Sequence, residues 1–176
     1  MAIKAKDLRS ASSRSGRVVV AKSLNEARSK KQITGFLCHS HKDQDLAKGL
    51  QVMLKENGWD IYIDWEDHEM PSTPNIETAT RIKSKINDTD WFLFLATNNS
   101  TQSRWCPWEI GYADSTKGYK KILIVSIEDD SGNWYGNEYL QLYKYIDKAN
   151  NKQTGKSGYA VFEAASTSSG TWVENM

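Results

Sequence analysis

"WFLFLA", residues 91–96, is apolar at every position. A strand with one face in water alternates apolar and polar side chains, so an unbroken run of this kind needs cover on both faces, as in a central strand of a parallel sheet. The flanking sequence agrees. Upstream lie "ITGFLC" at 33–38 and "WDIYID" at 59–64; downstream comes "KILIVSI" at 121–127. Helical patterns separate them: "LAKGLQVML" at 46–54 places Leu46, Leu50, Met53 and Leu54 on one face, and Ile76, Ala79, Ile82 and Ile86 face inward from a second helix. Punctuation fits as well: Ser40 and Asp43 have capping-box spacing, Gly58 and Gly118 stop helices, and Thr73-Pro74 opens one.

Strand and helix in alternation predict an α/β fold with a doubly wound parallel sheet. Five strands in the common flavodoxin-like order 2-1-3-4-5 put the switch point between the first and third. After "KILIVSI" the reading is a helix carrying Tyr139, Leu142, Tyr143 and Ile146, a fifth strand "YAVFEA" at 159–164, and a Ser/Thr/Gly-rich tail. The organisation expected is a basic extension over 1–31 with a short helix at Ser23–Lys30, one α/β domain over 32–150, and a C-terminal strand and tail over 151–176 packed on that domain.

Charge is unevenly spread. Residues 1–31 hold nine Lys or Arg against Asp7 and Glu26, so this arm is about +7 in a chain of net +1. No aromatic residue interleaves those charges, so the arm reads as a solvated, partly frayed terminus rather than a nucleic-acid or membrane contact. Only Cys38 and Cys106 are present, and no apolar run has signal-peptide or membrane-spanning character. The expected location is cytoplasmic, with both thiols reduced.

The predicted switch point brings two loops to one crevice: "HSHKD" after the first strand and "TNNSTQSRWCPWE" after the third. Pro107 belongs in a helix's first turn, so Glu109 lies in or near that turn, where the helix dipole favours its carboxylate; it is expected to be ionised at neutral pH. Trp105, four residues earlier, shares its helical face and either packs on the sheet or stacks on a flat, cationic ligand, while Trp108 points elsewhere and is expected to be core. His39, Ser40 and His41 are candidate ligand contacts, with Ser40 also a helix cap. Trp65 is an indole in a charged loop, which suggests something to cover.

Other chemistries fit less well. Cys106 near a helix start with His39 or His41 would make a nucleophilic pair, but no nucleophile-elbow glycines surround it. Strand alternation would bring Asp64, Glu66 and His68 to one side, yet calcium-loop and HExxH spacings are missing, so Asp64, Glu66, Asp67, His68 and Glu69 read as a solvated loop and no metal is expected. GxGxxG and P-loop motifs are absent, which argues against ordinary dinucleotide redox and NTPase sites. A phosphorylated receiver domain needs an aspartate ending the third strand, where this chain has "ATNN".

The stretch "GFLCHSHKDQDLAKGLQVMLKENGWDIYID" resembles the opening strand, helix and strand of Toll/interleukin-receptor (TIR) domains, and "SRWCPWEIGYA" resembles their W-x-x-x-E signature, met by Trp105 and Glu109. The likeness covers roughly 32–128 and is nearer to free-standing bacterial TIR proteins, including those of Thoeris anti-phage defence systems, than to receptors or adaptors. "DWEDHEMPSTPNIETA" departs from the Gly-Asp loop usual after the second strand.

The resemblance implies cleavage of NAD+, as substrate and without a further cofactor, at the nicotinamide–ribose bond. Glu109 is then the catalytic residue, with His39, Ser40, Trp65 and Trp105 holding substrate. Capture of C1′ by water yields ADP-ribose, by an adenine nitrogen a cyclic product, and by another nucleophile a conjugate. A signal made for a separate effector protein and assembly with further TIR copies are the partners implied. The alternative is a non-catalytic TIR scaffold that signals by assembly.

Overall fold

The computed structural model describes residues 2–17, 21, 24–67, 70–71, 73, 75–136, 138–164, 166 and 169–176. Its centre is the predicted sheet. Strands β2 (Ile33–Cys38), β3 (Trp59–Tyr62), β4 (Trp91–Ala96) and β5 (Ile122–Glu128) run parallel, in the order β3-β2-β4-β5. Helix α3 (Gln44–Lys55) joins β2 to β3, α4 (Ile76–Asp88) joins β3 to β4, and α6 (Cys106–Lys117) precedes β5.

The side chains of β4 show why it is apolar throughout. Leu93 and Leu95 pack with Leu46, Leu50 and Leu54 of α3 on one face of the sheet. Phe92, Phe94 and Ala96 pack with Ile82 and Ile86 of α4 and with Cys106, Ile110 and Ala113 of α6 on the other. With successive residues pointing to opposite faces, such a strand has no polar side.

The fifth parallel strand differs from the one expected. It is β6 (Lys144–Asn150), pairing with β5 from Leu123–Val125, while the segment read as fifth strand is β7 (Ser157–Phe162), antiparallel to β6 and followed by antiparallel β8 (Gly170–Trp172). The expected helix around Tyr139–Ile146 is a 3-10 turn, Glu138–Leu142, that leaves Leu142 exposed before β6 begins. Tyr143 and Ile146 satisfy the three-residue spacing of a helix, but the open edge of β5 and a hairpin partner in β7 give their backbone ladder bonds instead.

The N-terminal arm is not a frayed tail. Strand β1 (Ile3–Lys4) pairs with the end of β5, and α1 (Ala5–Ser12) lies on α3, burying Ile3, Ala5, Leu8 and Ala11. Gly49 makes that crossing possible, since a Cβ there would sit 1.9 Å from the Leu8 carbonyl oxygen. A second helix of the arm, α2 (Leu24–Ser29), falls within the expected Ser23–Lys30, of which Ser23 lies outside the described residues.

Three local expectations change. Ser40 caps a 3-10 turn, His41–Asp43, by accepting from the Lys42 N–H, and Asp43 turns inward instead of completing a capping box. Helix α4 starts at an Asn75–Thr78 capping box, with Pro74 outside the described residues, and Ile76 in its first turn is exposed. Gly58 and Gly118 end their helices with positive φ, as their sequence positions suggest.

Candidate functional site

At the carboxyl ends of β2 and β4 the chain turns away in opposite directions, and the site is assembled from those turns, the end of β3 and the start of α6. Asp43, buried, accepts from Thr97 Oγ1 and from Asn99 Nδ2 at 2.6 Å each, tying the turn after β2 to the short helix α5 (Asn98–Thr101) after β4. Ser103 Oγ accepts from the N–H groups of Trp105 and Cys106 and so sets the start of α6. Cys106 Sγ then donates to the His39 carbonyl at 3.3 Å, which fastens α6 to the β2 turn.

Glu109 lies one turn into α6, its N–H donating to the Trp105 carbonyl at 2.9 Å, and it is buried, with 6% of its surface exposed. Its carboxyl is pushed up to about 8, first by burial and then by the neighbouring Cys106 and Asp64, against a smaller lowering by a hydrogen bond from Cys38. The sequence-based expectation of an ionised Glu109 is therefore corrected. A helix dipole contributes at most about 2 kcal/mol, whereas moving a carboxyl from 4.5 to about 8 corresponds to roughly 5 kcal/mol, so desolvation wins. Among the described residues no cation pairs with Glu109.

His39, also buried, has Nδ1 2.9 Å from the Leu37 carbonyl oxygen and its ring edge-on to Trp65, centroids 4.5 Å apart. Desolvation lowers its pKa, opposed by Asp64. Asp64 was read as part of an acid cluster in a solvated loop; it stands instead at the end of β3, with Oδ1 3.6 Å from His39 Nε2. The rest of that cluster serves structure. Glu66 bonds Lys48 and Gln51, and Asp67 accepts from Tyr62 and pairs with Lys85, while His68 and Glu69 lie outside the described residues.

The structure thus brings Glu109, His39 and Trp65 to one place through Asp64, Cys38 and Cys106, with Ser40 half-buried beside them. Trp105 is half-buried against the α4/α6 core, and its ring stands edge-on to Trp108 at 5.4 Å, away from the His39–Trp65 pair. Trp108, expected in the core, is 37% exposed; it stacks on Tyr112 beneath the Lys83 ammonium. As a first-turn residue of α6 it points off the sheet. Cys38 and Cys106 are free and buried; burial raises Cys38, while a hydrogen bond with Cys38 lowers Cys106. A thiol with no exposed surface cannot meet a substrate as nucleophile.

Asp43 and Asp64, read from sequence as a helix-capping partner and a solvated-loop acid, both belong to the crevice. Each ends a segment entering the crevice, "HSHKD" and "WDIYID", and that position was their signal.

A doubly wound sheet with a buried carboxyl of raised pKa at its switch point defines a flavodoxin-like α/β domain with acids gathered in its crevice. The family model for the TIR domain matches residues 36–160, and the chain belongs to that family. It is 38% identical over 117 residues to a Bacillus cereus (strain MSX-D12) protein named probable 3′ cyclic ADP-D-ribose synthase ThsB′, covering 64% of this chain and 60% of that protein. It is 26% identical over 110 residues to a Cytobacillus dafuensis protein named putative cyclic ADP-D-ribose synthase TIR2, covering 61% of this chain and 28% of that protein. The chain thus spans less than two thirds of either relative. Among the described residues no helix is long and apolar enough to cross a membrane.

Proposed function

We propose that this TIR domain cleaves NAD+ between nicotinamide and ribose and closes the ADP-ribosyl unit into a cyclic ADP-ribose. The observation that carries this reading is Glu109, a buried carboxyl with a raised pKa and no cationic partner among the described residues, at the switch-point crevice. The names of the two relatives, both cyclic ADP-D-ribose synthases, support the product class.

The chemistry suits a single acid. Nicotinamide in NAD+ is already a cationic leaving group, so its departure needs no general acid, unlike an ordinary glycoside. The approach of that positive ring supplies the charge the Glu109 site lacks and favours the carboxylate. As the bond breaks, positive charge moves to C1′, and a carboxylate in a desolvated site stabilises it more strongly than one in water. Trp65 and His39 form an aromatic wall against which substrate packs, with Ser40 at the rim and Trp105 backing the helix start. Water is excluded, so C1′ is captured by a nucleophile of the same molecule; if that nucleophile is a ribose hydroxyl, its proton passes to Glu109. The product serves as a diffusible signal for a separate effector protein in anti-phage defence, inside the cytoplasm where NAD+ is available.

The test is to incubate NAD+ with wild-type and Glu109→Gln protein, each at low and high concentration, and to separate and weigh the products. Nicotinamide release with a product lighter than ADP-ribose by one water, lost in the variant, is expected. ADP-ribose alone overturns cyclisation, and unchanged NAD+ throughout overturns the enzyme. That last outcome favours the second reading, a scaffold of assembled TIR domains, for which exposed Trp108, stacked on half-buried Tyr112, offers one contact surface.

A further inference from the structure

The turns after β2 and β3 bring together three metal-ligand donors, His39, His41 and Asp64, whose ring nitrogens and carboxylate take no chemical part in the reaction above. A carbonyl oxygen only accepts, so the 2.9 Å contact with Leu37 places a proton on His39 Nδ1. In the neutral ring Nε2 is then a bare lone pair. It is buried without a hydrogen-bond partner, on a side chain 2% exposed, and it faces Asp64 Oδ1 across 3.6 Å. A lone pair opposite a carboxylate oxygen is repelled, and protonating Nε2 leaves its N–H too far from that oxygen for a normal hydrogen bond. His41 approaches the same carboxylate from the solvent side, Nε2 lying 3.9 Å from Asp64 Oδ2. One ligand atom from each of the three residues falls within 4.8 Å of the others.

These separations are close to those a metal ion imposes. Ligands 2.0–2.1 Å from a tetrahedral Zn2+ stand about 3.3–3.4 Å apart. His41, with 72% of its side chain exposed, has room to swing the remaining distance. We propose that His39, His41 and Asp64 bind one divalent ion of the Zn2+ class, with the fourth position open to the crevice. Two imidazoles and one carboxylate select borderline metals over Mg2+ or Ca2+, and the Leu37 carbonyl orients the His39 ring as outer-shell partners of metal-bound histidines do. Strand alternation groups Asp64 with Glu66 and His68, whereas the fold sets it opposite His39 and His41 across the crevice. The site shares His39 with the pocket proposed for NAD+, but ion binding is read without turnover, so the two readings can fail separately.

Chelator-stripped protein titrated with Co2+ and, by calorimetry, with Zn2+ tests it. The expected result is one ion per chain and the intense visible absorption of tetrahedral Co2+, displaced by Zn2+. His41→Ala, at an exposed position, and Asp64→Asn should each weaken binding by at least about tenfold with unchanged circular dichroism. Cys106→Ser should bind as wild type. Absence of saturable binding overturns the site, as does binding that survives His41→Ala or disappears with Cys106→Ser, which would place the ion on the thiols.

Discussion

The α1–α3 seam and the β2–β4 crevice both join distant parts of the chain, and they treat charge in opposite ways. At the seam the middle is apolar, Ala5 and Leu8 clustering with Leu50 and Met53, and the charges sit at the rim in pairs: Arg9 with Asp45 and Asp130, Arg14 with Glu56, Asp7 with Lys148. At the crevice a glutamate is buried with no cation among the described residues, and a histidine nitrogen is buried with no hydrogen bond. Burying polar groups without partners costs stability, and a domain that can pair charges at its rim leaves such groups where they can meet a ligand. The seam is built to hold, and the crevice leaves polar groups free for the ligand proposed above.

The sharpest way to break this contrast is Glu109→Gln. Loss of a charge that stabilises the transition state should cost about 10²–10³-fold in NAD+ cleavage, measured by nicotinamide release. The same variant should gain stability at alkaline pH. Because folding raises the Glu109 pKa from 4.5 to about 8, its contribution to stability is present in full below the unfolded value and is lost as pH rises through about 8. The glutamine has no proton to lose, so its stability should exceed the wild type's increasingly from about pH 5 to about pH 8 and level off above, by up to a few kcal/mol at about 1.4 kcal/mol per unit, read as a widening gap in melting temperature. Equal melting curves at pH 9 would show Glu109 to be solvated. At the seam, Gly49→Ala presses a methyl against the Leu8 backbone, which cannot yield as a side-chain tip can. A loss of about 3 kcal/mol is expected, with α1 amides exchanging faster and α6 unaffected. A variant as stable as wild type would mean that the arm does not dock.

The difference between the two regions also marks what sequence could reveal. The four inner strands were legible because each is a short apolar run whose cover on both faces is a local property, and the switch point followed from their order. Glu109 was legible as a position for the same reason. Its charge state was not, because it is set first by burial in the folded chain and then by Cys106, Cys38 and Asp64, of which only Cys106 shares its helix. The docked arm was hidden because Ile3, Ala5, Leu8 and Ala11 make a face only against the notch at Gly49, and nine basic residues spread along the arm pointed to solvent. The β6 strand was misread because Tyr143 and Ile146 fit helical spacing until β5 offers an edge.

A smaller effect sharpens the crevice side. If the carboxylate is the active form, kcat/KM should rise about tenfold per pH unit below about 8 and level above it, since that ratio reports the free enzyme. The kcat profile should turn at lower pH if NAD+ binds as proposed, since its cationic ring would then stand near Glu109. A flat kcat/KM between about pH 6 and pH 9 would mean that another group governs the reaction.

The smallest effect belongs to the seam's rim. Arg9 touches Asp45 at 3.0 Å and Asp130 at 2.7 Å, but its side chain is 44% exposed and both carboxylates are more exposed still. Solvent screening leaves such pairs with below about 1 kcal/mol, so Arg9→Ala should lower the melting temperature slightly at low salt, less at high salt, and leave NAD+ cleavage unchanged. A large loss would place the energy of docking in the charges. A small one assigns it to Leu8, Ala11 and the Gly49 notch, with the paired ions fixing only which way α1 lies on α3.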